Sequence, residues 1–537
     1  MSDNNGNPQD RTLRSISTAI FLLAVLLSAW FRVSEIGIKP FHHDEGVNSF
    51  FLLNLARSGD YQYNPENYHG PSLYYLTLLS LRALGETDLA LRFWPAAFGV
   101  LTVLLLWPLR RQLGRVGTPA AAFFVAVSPG LVYYSRDFIH ETIFGACSLG
   151  IVAGVVRYTE SKKFLWLGLA AASFGLMVTT KETVVVNVAV MLAALGCALL
   201  WEAARDMLAQ GEGSPAALVR RIRAAGIGTR PSLDHTLAAL IVILSIYVFL
   251  YSSFFKHPQG MIDFLRSILH WTSERSSRDH VHPFTYYLGI LFKLELPLLA
   301  GALLAGVFVA LRGTRFWLFT AAWTLGTFLA YSLIPYKTPW LLVGLLIPMA
   351  VVCGHAAEQL WQTAARTGPR LLVALLLATA LAFAGRLAWQ VNFAKHDDNT
   401  NASGYFPETG LKLKLTPYTD SQYGYVYAQT DRDFLFLVEA IRKQAERMPA
   451  DKHTGIYVAS PDYWPLPWYL REYDQVAFVG QLPPAHDGTL AISQPIIVAR
   501  ADQREQLDRI PGIHAATQPF TLRPGVELLL YVREASE

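Results

Sequence analysis

The sequence predicts a mainly α-helical, polytopic membrane protein with a small α/β domain at its C-terminal end. Three observations predict this class. Only 16% of the 537 residues are charged, whereas soluble domains carry about 25%. Apolar stretches long enough to cross a bilayer recur throughout residues 16–389. Residues 390–537 lack such stretches and alternate short β-type runs with a helical pattern, so they are expected outside the membrane.

Eleven segments are apolar over the roughly 20 residues that a membrane-spanning helix requires. They are 16–33, 89–109, 118–135, 142–158, 164–180, 183–201, 235–254, 285–311, 316–334, 340–357 and 370–389. The first segment lacks an Ala-x-Ala site and many spans follow it, so it reads as a retained helix. The stretch 71–85 is apolar but short, and we interpret it as an interfacial helix. Counting it as a span is the alternative, which would invert the topology downstream.

The distribution of basic residues orients the predicted spans. With residues 1–15 as a cytoplasmic tail, the cytoplasmic side of residues 1–389 carries more basic residues than the opposite side, namely Arg11, Arg14, Arg110, Arg111, Arg115, Arg157, Lys162, Lys163, Arg205, Arg220, Arg221, Arg223, Arg230, Arg312, Arg315, Arg366 and Arg370. The positive-inside rule favours this arrangement. It places residues 390–537 and every unusual polar motif on the extracytoplasmic side of a plasma or inner membrane. The small net charge of +4 gives no indication of nucleic-acid binding.

Residues 390–537 carry the pattern of a small α/β domain. Thr430 is a candidate N-cap for an amphipathic helix over 430–446, with four apolar residues on one face, namely Phe434, Leu437, Val438 and Ile441. β-type runs follow at 455–460, 475–479, 495–499 and 526–533, and a helix start appears at Asp502. The domain has no Gly-x-Gly-x-x-Gly nucleotide fingerprint, so we expect it to have a structural or acceptor-docking role.

The most unusual motif is Phe41-His42-His43-Asp44-Glu45-Gly46, just after the first predicted span. Ionisable groups at a membrane are costly to keep there, so they usually serve a function. Two adjacent carboxylates allow one to act as a general base while the other orients it or holds a cation. A solvated polar loop is the alternative interpretation.

Four further polar motifs fall on the same predicted side of the membrane. They are Tyr68-His69-Gly70-Pro71, Ser135-Arg136-Asp137-Phe138-Ile139-His140-Glu141, Thr180-Lys181-Glu182 and Tyr336-Lys337-Thr338-Pro339-Trp340. Taken singly, each has a structural interpretation, such as a basic anchor that reaches the lipid headgroups. Together they supply cations that can neutralise a phosphate leaving group and carboxylates that can deprotonate an incoming hydroxyl. The set therefore predicts a site that handles a phosphorylated lipid.

In this order, the motifs resemble the GT-C superfamily of integral membrane glycosyltransferases. The similarity is strongest to protein O-mannosyltransferases and aminoarabinose transferases, and within them to the flippase-associated glycosyltransferase-like subgroup. It covers roughly residues 15–390 and rests on Asp44-Glu45, His69-Gly-Pro-Ser-Leu-Tyr-Tyr, Asp88-Leu-Ala-Leu-Arg92-Phe, Ser135-Arg136 with Glu141, Gly175-Leu-Met-Val-Thr-Thr-Lys181 and Lys337-x-Pro. It implies a GT-C bundle of about 11 transmembrane helices with extracytoplasmic interfacial helices.

The resemblance also implies roles for these residues. Asp44 matches the catalytic base and Glu45 its supporting acid, while Arg136, Lys181 and Lys337 match contacts to the donor phosphate. Glu141 matches a second carboxylate near the sugar or a cation, and the remaining candidate substrate-binding residues are His69, Asp137 and Glu182. The implied reaction is inverting transfer of a sugar from a polyprenyl-phosphate donor to a hydroxyl of an extracytoplasmic glycan, lipid or protein.

Two departures from the family pattern stand out, the double histidine and Gly46, where a bulkier residue is common. A divalent-cation site is left open, with His42, His43 and His140 as candidate ligands beside His69, Asp44 and Glu141. The segment 256–283 matches a mobile substrate-covering loop, and a plain connector is the alternative.

Two other functions compete with the transferase. A transporter or flippase for lipid-linked sugars would require charges near the bilayer midplane and repeat symmetry, whereas the charges cluster at one face and no repeat is evident. An inactive homologue that scaffolds envelope glycan assembly is the third. A lipid-phosphate donor carries its own leaving group, which agrees with the missing nucleotide fingerprint.

Overall fold

The structure is a computed structural model that describes residues 8–67, 69–211, 219, 230–273, 280–393, 404–406, 411–413, 424–483, 492–516 and 519–533. The chain forms two compact units. The first comprises Met1–Ser34 and Ser58–Phe393, and the second comprises Glu35–Arg57 and Ala394–Glu537. Tyr68 and residues 274–279 of the predicted covering loop lie outside the described residues, as do Arg220, Arg221 and Arg223.

Helices dominate the described chain, as predicted. In chain order they are α1 Pro8–Val33, α2 His43–Ser58, α3 Ser72–Leu84, α4 Asp88–Leu104, α5 Arg110–Val127, α6 Pro129–Ser135, α7 Glu141–Ser161, α8 Phe164–Val178, α9 Val184–Gln210, α10 Leu233–Tyr251, α11 Gly260–Ser273, α12 Tyr286–Leu294, α13 Leu296–Arg312, α14 Arg315–Leu333, α15 Leu342–Thr363, α16 Thr367–Phe393, α17 Asp433–Glu446, α18 Leu466–Tyr469 and α19 Arg504–Leu507.

Every predicted span coincides with a helix or a bent pair of helices. In the described residues, seven helices are long and apolar enough to cross a membrane, namely α1, α7, α9, α10, α14, α15 and α16. Two bent pairs meet the same criteria when each is taken as one span, α5 with α6 at 55° and α12 with α13 at 108°. The other two predicted spans correspond to α4, with 17 residues, and α8, with 15 residues. The polytopic helical class is confirmed, and the interfacial position of α3 remains a prediction.

Buried glutamates stabilise the breaks in the helical bundle. Gly114 in α5 has a φ of +83°, which only glycine adopts readily. The Glu358 carboxylate accepts hydrogen bonds from the backbone N–H groups of Val116, at 2.7 Å, and Gly117, at 3.0 Å. In the same way Glu295 accepts the Gly130 N–H at 2.8 Å at the start of α6. A helix start buried in a bundle needs such acceptors because its first N–H groups have no intrahelical partner.

The second unit contains a mixed sheet. In the described residues the strands are β1 Gly404–Phe406, β2 Leu411–Leu413, β3 Ile456–Val458, β4 Val476–Phe478, β5 Ile496–Arg500, β6 Ile513–Ala515, β7 Phe520–Arg523 and β8 Val526–Arg533. The sheet order is β4-β3-β5-β8-β6, with β7 also paired to β8, and β1 pairs with β2 separately. β3 runs parallel to β4 and β5, whereas β8 is antiparallel to its neighbours. The predicted α/β character is confirmed, and β1, β2, β6 and β7 were not predicted.

The helix α17 begins later than the sequence predicts. Thr430 is not its N-cap, because the Thr430 hydroxyl donates to the Phe41 carbonyl at 2.7 Å. The turn is closed instead by Asp431, whose Oδ1 accepts the Asp433 N–H at 3.0 Å. Phe41 also stacks on Trp468, with ring centroids 5.2 Å apart. These contacts attach the segment 35–57 to the C-terminal residues within the second unit.

Candidate active site

The two adjacent carboxylates of the second unit have different surroundings. Glu45 is fully buried and accepts the backbone N–H of His42 at 2.8 Å, so it closes the first turn of α2. The Asp44 side chain is partly exposed, and no group within the described residues hydrogen-bonds its carboxylate. Asp44 is therefore the member of the pair with an accessible carboxylate, and its role as the base remains a prediction.

The two preceding histidines are held in defined states. His42 Nδ1 accepts the Asp44 N–H at 3.1 Å, and His42 Nε2 contacts the Tyr427 carbonyl. A carbonyl can only accept, so Nε2 donates in this contact, and both nitrogens of the His42 ring are engaged. Burial lowers the pKa of His43 to about 4, so the His43 ring is neutral at neutral pH.

In the first unit, backbone pairing brings two predicted motifs together. The Gly70 N–H donates to the Thr180 carbonyl at 3.0 Å, and the Ser72 N–H donates to the Thr179 carbonyl at 3.0 Å. A Cβ on residue 70 would lie 2.2 Å from the Thr179 oxygen, which explains the glycine in the His-Gly-Pro motif. Lys181 forms an isolated bridge with His69 at the end of this pairing.

Charged and aromatic side chains converge at this pairing. Lys181 forms an ion pair with Glu141, and the two side chains are only 12% and 8% exposed. The rings of His69 and His140 lie 4.6 Å apart. His140 Nε2 contacts the Gly70 carbonyl at 3.3 Å, and burial lowers the pKa of His140 well below its usual value. The structure thus brings together four of the predicted residues from three separate motifs.

Glu182 points into a separate hydrogen-bonded chain. Its Oε1 lies 2.9 Å from the Tyr63 hydroxyl, which lies 2.9 Å from Ser267 Oγ, and Ser267 in turn donates to the Phe264 carbonyl at 2.7 Å. The Tyr63 hydroxyl carries one proton, so it donates to only one of Glu182 and Ser267 at a time. Burial raises the pKa of Glu182 to about 7, which favours the neutral carboxyl below that pH. Sequence reasoning missed Tyr63 and Ser267, since neither lies in a charged motif.

Arg136 is fully buried, with its guanidinium at the end of α1. Its Nη1 donates to the carbonyls of Phe31, at 2.8 Å, and Ser34, at 2.7 Å, and the group lies 4.4 Å from the Phe393 ring centroid. These contacts cap the helix, because the last carbonyls of a helix lack intrahelical partners. Asp137, beside it, is also buried. The role of Arg136 in phosphate binding and that of Asp137 in substrate binding remain predictions.

Lys337 is surrounded by backbone carbonyls. Its Nζ donates to Ile334 at 2.6 Å, to His282 at 3.0 Å and to Pro335 at 3.4 Å. Burial lowers the pKa of this ammonium. Phosphate binding by Lys337 also remains a prediction, and it would require the ammonium to leave these carbonyls. The side-chain partner of Lys181, unlike the carbonyls around Lys337, is the carboxylate of Glu141.

The sequence did not decide whether the protein has a metal site. Across the ranges that the structure describes, no three His, Cys, Asp or Glu side chains are grouped as a metal ion would require. His42 illustrates the reason, because both of its ring nitrogens already have hydrogen-bond partners.

The apolar helices indicate a polytopic membrane protein, and similarity to solved structures shows that its fold is the GT-C fold, as the resemblance implied. Residues 68–220 match the family of dolichyl-phosphate-mannose-protein mannosyltransferases. ArnT from Cupriavidus metallidurans, in its crystal structure with undecaprenyl phosphate, matches with a TM-score of 0.60 and 13% identity over 96% of this chain and 97% of that one.

A second solved structure has the same fold. The archaeal oligosaccharyltransferase AglB from Archaeoglobus fulgidus, in complex with an inhibitory peptide and a dolichol-phosphate, matches with a TM-score of 0.53. The identity is 13% over 91% of this chain and 70% of that chain. No curated protein sequence matches this chain.

Proposed function

We propose that the chain is an inverting glycosyltransferase that moves a sugar from a polyprenyl-phosphate donor to a hydroxyl of an extracytoplasmic acceptor. The family match over residues 68–220 and the GT-C fold support a glycosyltransferase. Lipid-linked donors are supported by two solved structures of this fold, one bound to undecaprenyl phosphate and one to a dolichol-phosphate.

The observation that carries the proposal is the unequal state of the two adjacent carboxylates. Asp44 is partly exposed with an unshared carboxylate among the described residues, whereas Glu45 is buried and bonded to the His42 N–H. In the proposed step, the acceptor oxygen forms a bond to the anomeric carbon as the bond from that carbon to the phosphate oxygen breaks. Asp44 takes the hydroxyl proton, and Glu45 supports it by fixing the first turn of α2.

The departing polyprenyl phosphate carries the negative charge that develops in this step. Lys181 is the best-supported phosphate contact, since its ammonium faces a carboxylate and not a set of carbonyls. A phosphate oxygen can compete with Glu141 for this ammonium, and charge-assisted bonds of this kind stabilise a leaving group. The rings of His69 and His140 lie beside this pair, and burial favours the neutral form of the His140 ring.

The test is to separate transfer from transport. The full chain would be reconstituted in sealed vesicles with polyprenyl phosphate mannose or glucose that is labelled in the sugar, and envelope material would be supplied outside. We expect the label to appear in a new glycosidic linkage together with free polyprenyl phosphate. Movement of labelled lipid across the vesicle with no glycosylated product would support the transporter instead.

A further inference from the structure

Aromatic side chains of the second unit gather around Trp464. The Trp464 ring lies 5.2 Å from that of Tyr463 and 6.2 Å from those of both His43 and Phe50, measured between centroids. Phe478 extends the group, 5.1 Å from Tyr463. All five side chains retain some exposure, and Phe50 is 46% exposed. The group therefore presents ring faces and edges at a surface of this unit.

Gly46 allows this surface to form. A Cβ on residue 46 would lie 2.8 Å from both Cα and Cβ of Pro465 and 3.1 Å from Cε3 of Trp464. The two 2.8 Å distances are shorter than real Cβ contacts, so the first turn of α2 can approach Pro465 this closely because residue 46 is glycine. His43 and Gly46 are both departures from the family pattern, and both build this surface.

Polar groups border the rings. Asp462 accepts a hydrogen bond from Arg500 at 3.2 Å and forms a second ion pair with Arg523. The charges of Asp462 and Arg523 both act on the His43 ring. Asp44 is the next residue after His43, and its carboxylate is unshared within the described ranges.

This combination fits a sugar ring better than a lipid surface. A sugar has a C–H face that packs on aromatic rings and hydroxyls that bond to carboxylates and guanidinium groups, and binding sites pair aromatic walls with a few fixed polar groups. An interfacial membrane patch would instead combine apolar side chains with a surplus of Lys and Arg. Here the two arginines are paired with Asp462, and Asp44 adds a negative charge that repels anionic headgroups.

We propose that the surface formed by Trp464, Tyr463, Phe50 and His43 binds a sugar ring of the acceptor, so that the acceptor is a glycan. The assignment of this sugar as acceptor rests on the proposed transferase function. Binding itself does not, because the surface lies within the second unit and needs no donor. The proposal gives Gly46 and His43 a function that the transferase reaction alone does not supply.

The test is saturation-transfer NMR on the full chain in nanodiscs, with methyl α-mannopyranoside, methyl β-glucopyranoside and methyl N-acetyl-β-glucosaminide as probes. We expect at least one sugar to receive saturation through its C–H protons. Trp464→Leu, which keeps an apolar side chain but removes the ring, should lower this signal about fivefold. Phe50→Leu, at an exposed ring, gives a second variant if Trp464→Leu fails to fold. Phe436→Leu is the matched control, since Phe436 is 61% exposed on α17 outside this group.

The proposal is overturned if none of the three sugars gives a signal, or if Trp464→Leu gives the same signal as the native chain. It is also overturned if a serine-containing peptide binds and none of the sugars displaces it, because that result would favour a protein acceptor. Failure of sugar binding together with intact glycosyl transfer would reject this inference alone. Sugar binding without any transfer would reject the proposed function and leave the binding surface standing.

Discussion

Glu182 and His43 show how burial sets charge at the level of single residues. The pKa of Glu182 is raised to about 7 and that of His43 is lowered to about 4, in both cases mainly by burial. Burial disfavours the charged form of either group, so the shifts have opposite directions. Both residues are neutral at the lower end of the physiological range, so neither carries a fixed charge there.

The shift at Glu182 predicts a specific dependence of stability on pH. Between the usual value of 4.5 and about 7, the folded protein holds a proton that the unfolded chain releases. The stabilisation is thus fully present below pH 4.5 and is lost as the pH rises through 7, with a total of about 3 kcal/mol. His43 has the opposite effect on stability. Its contribution to folding is present above pH 6.5 and is lost as the pH falls through about 4.

Because these two effects partly cancel in the native chain, Glu182→Gln is best compared with the native protein at each pH. We expect the apparent Tm of the variant, relative to the native chain, to rise by a few degrees from about pH 5 to about pH 8. The control is Glu446→Gln, at an exposed position of α17. A difference between Glu182→Gln and the native chain that does not change with pH would contradict a buried neutral carboxyl.

At the level of elements, the pairing of residues 69–72 with 179–181 positions Lys181. Gly70→Ala would place a Cβ 2.2 Å from the Thr179 carbonyl oxygen, which is backbone and cannot rotate away. We expect the pairing to separate at a cost of about 1–3 kcal/mol, with weaker binding of undecaprenyl phosphate. Thermal unfolding and lipid binding would both be measured.

The matched control is Gly196→Ala, since a Cβ there meets nothing within 4 Å of this helical position in α9. That variant should unfold at or slightly above the native temperature, because alanine is the better helix former. If Gly70→Ala and Gly196→Ala unfolded at the same temperature and bound the lipid equally well, the close approach at Gly70 would not be what positions Lys181.

The helices were predictable from apolar length, but their breaks were not. The predicted spans 118–135 and 285–311 are each two helices, bent by 55° and 108°. The first bend is stabilised by Glu295, a residue more than 150 positions away whose carboxylate accepts the Gly130 N–H. A local apolar pattern contains no information about such a distant acceptor, so tertiary contacts decide where the helix stops.

The candidate site was also predictable in part: its residues could be identified from the sequence, but their individual states could not. Lys181, Glu141, His69 and His140 were singled out as motif residues, and they do lie together. The different states of Asp44 and Glu45 could not be predicted, because they depend on which carboxylate the turn of α2 buries. Tyr63 was missed because an uncharged tyrosine gives no signal until its partner Glu182 is located in space.

For the whole molecule, the positive-inside argument predicts which side of the membrane each exposed segment faces. Labelling of introduced cysteines tests that prediction. A cysteine at Glu446, which is exposed on α17, should react with a membrane-impermeant maleimide added outside intact cells. A cysteine at Lys163, exposed between α7 and α8, should react only after the membrane is opened. The native cysteines provide the background signal. Outside labelling of Lys163→Cys with protection of Glu446→Cys would invert the proposed topology.

The central claim is that Asp44 is the base of a glycosyl transfer, and Asp44→Asn tests it most directly. In vesicles with labelled donor and envelope acceptor, we expect transfer to fall by about 10²–10⁴-fold, the usual contribution of a general base. Binding of the donor lipid should be unchanged. Asp474→Asn, at an exposed aspartate of the same unit, should transfer at the native rate. Transfer by Asp44→Asn at the native rate would contradict the account.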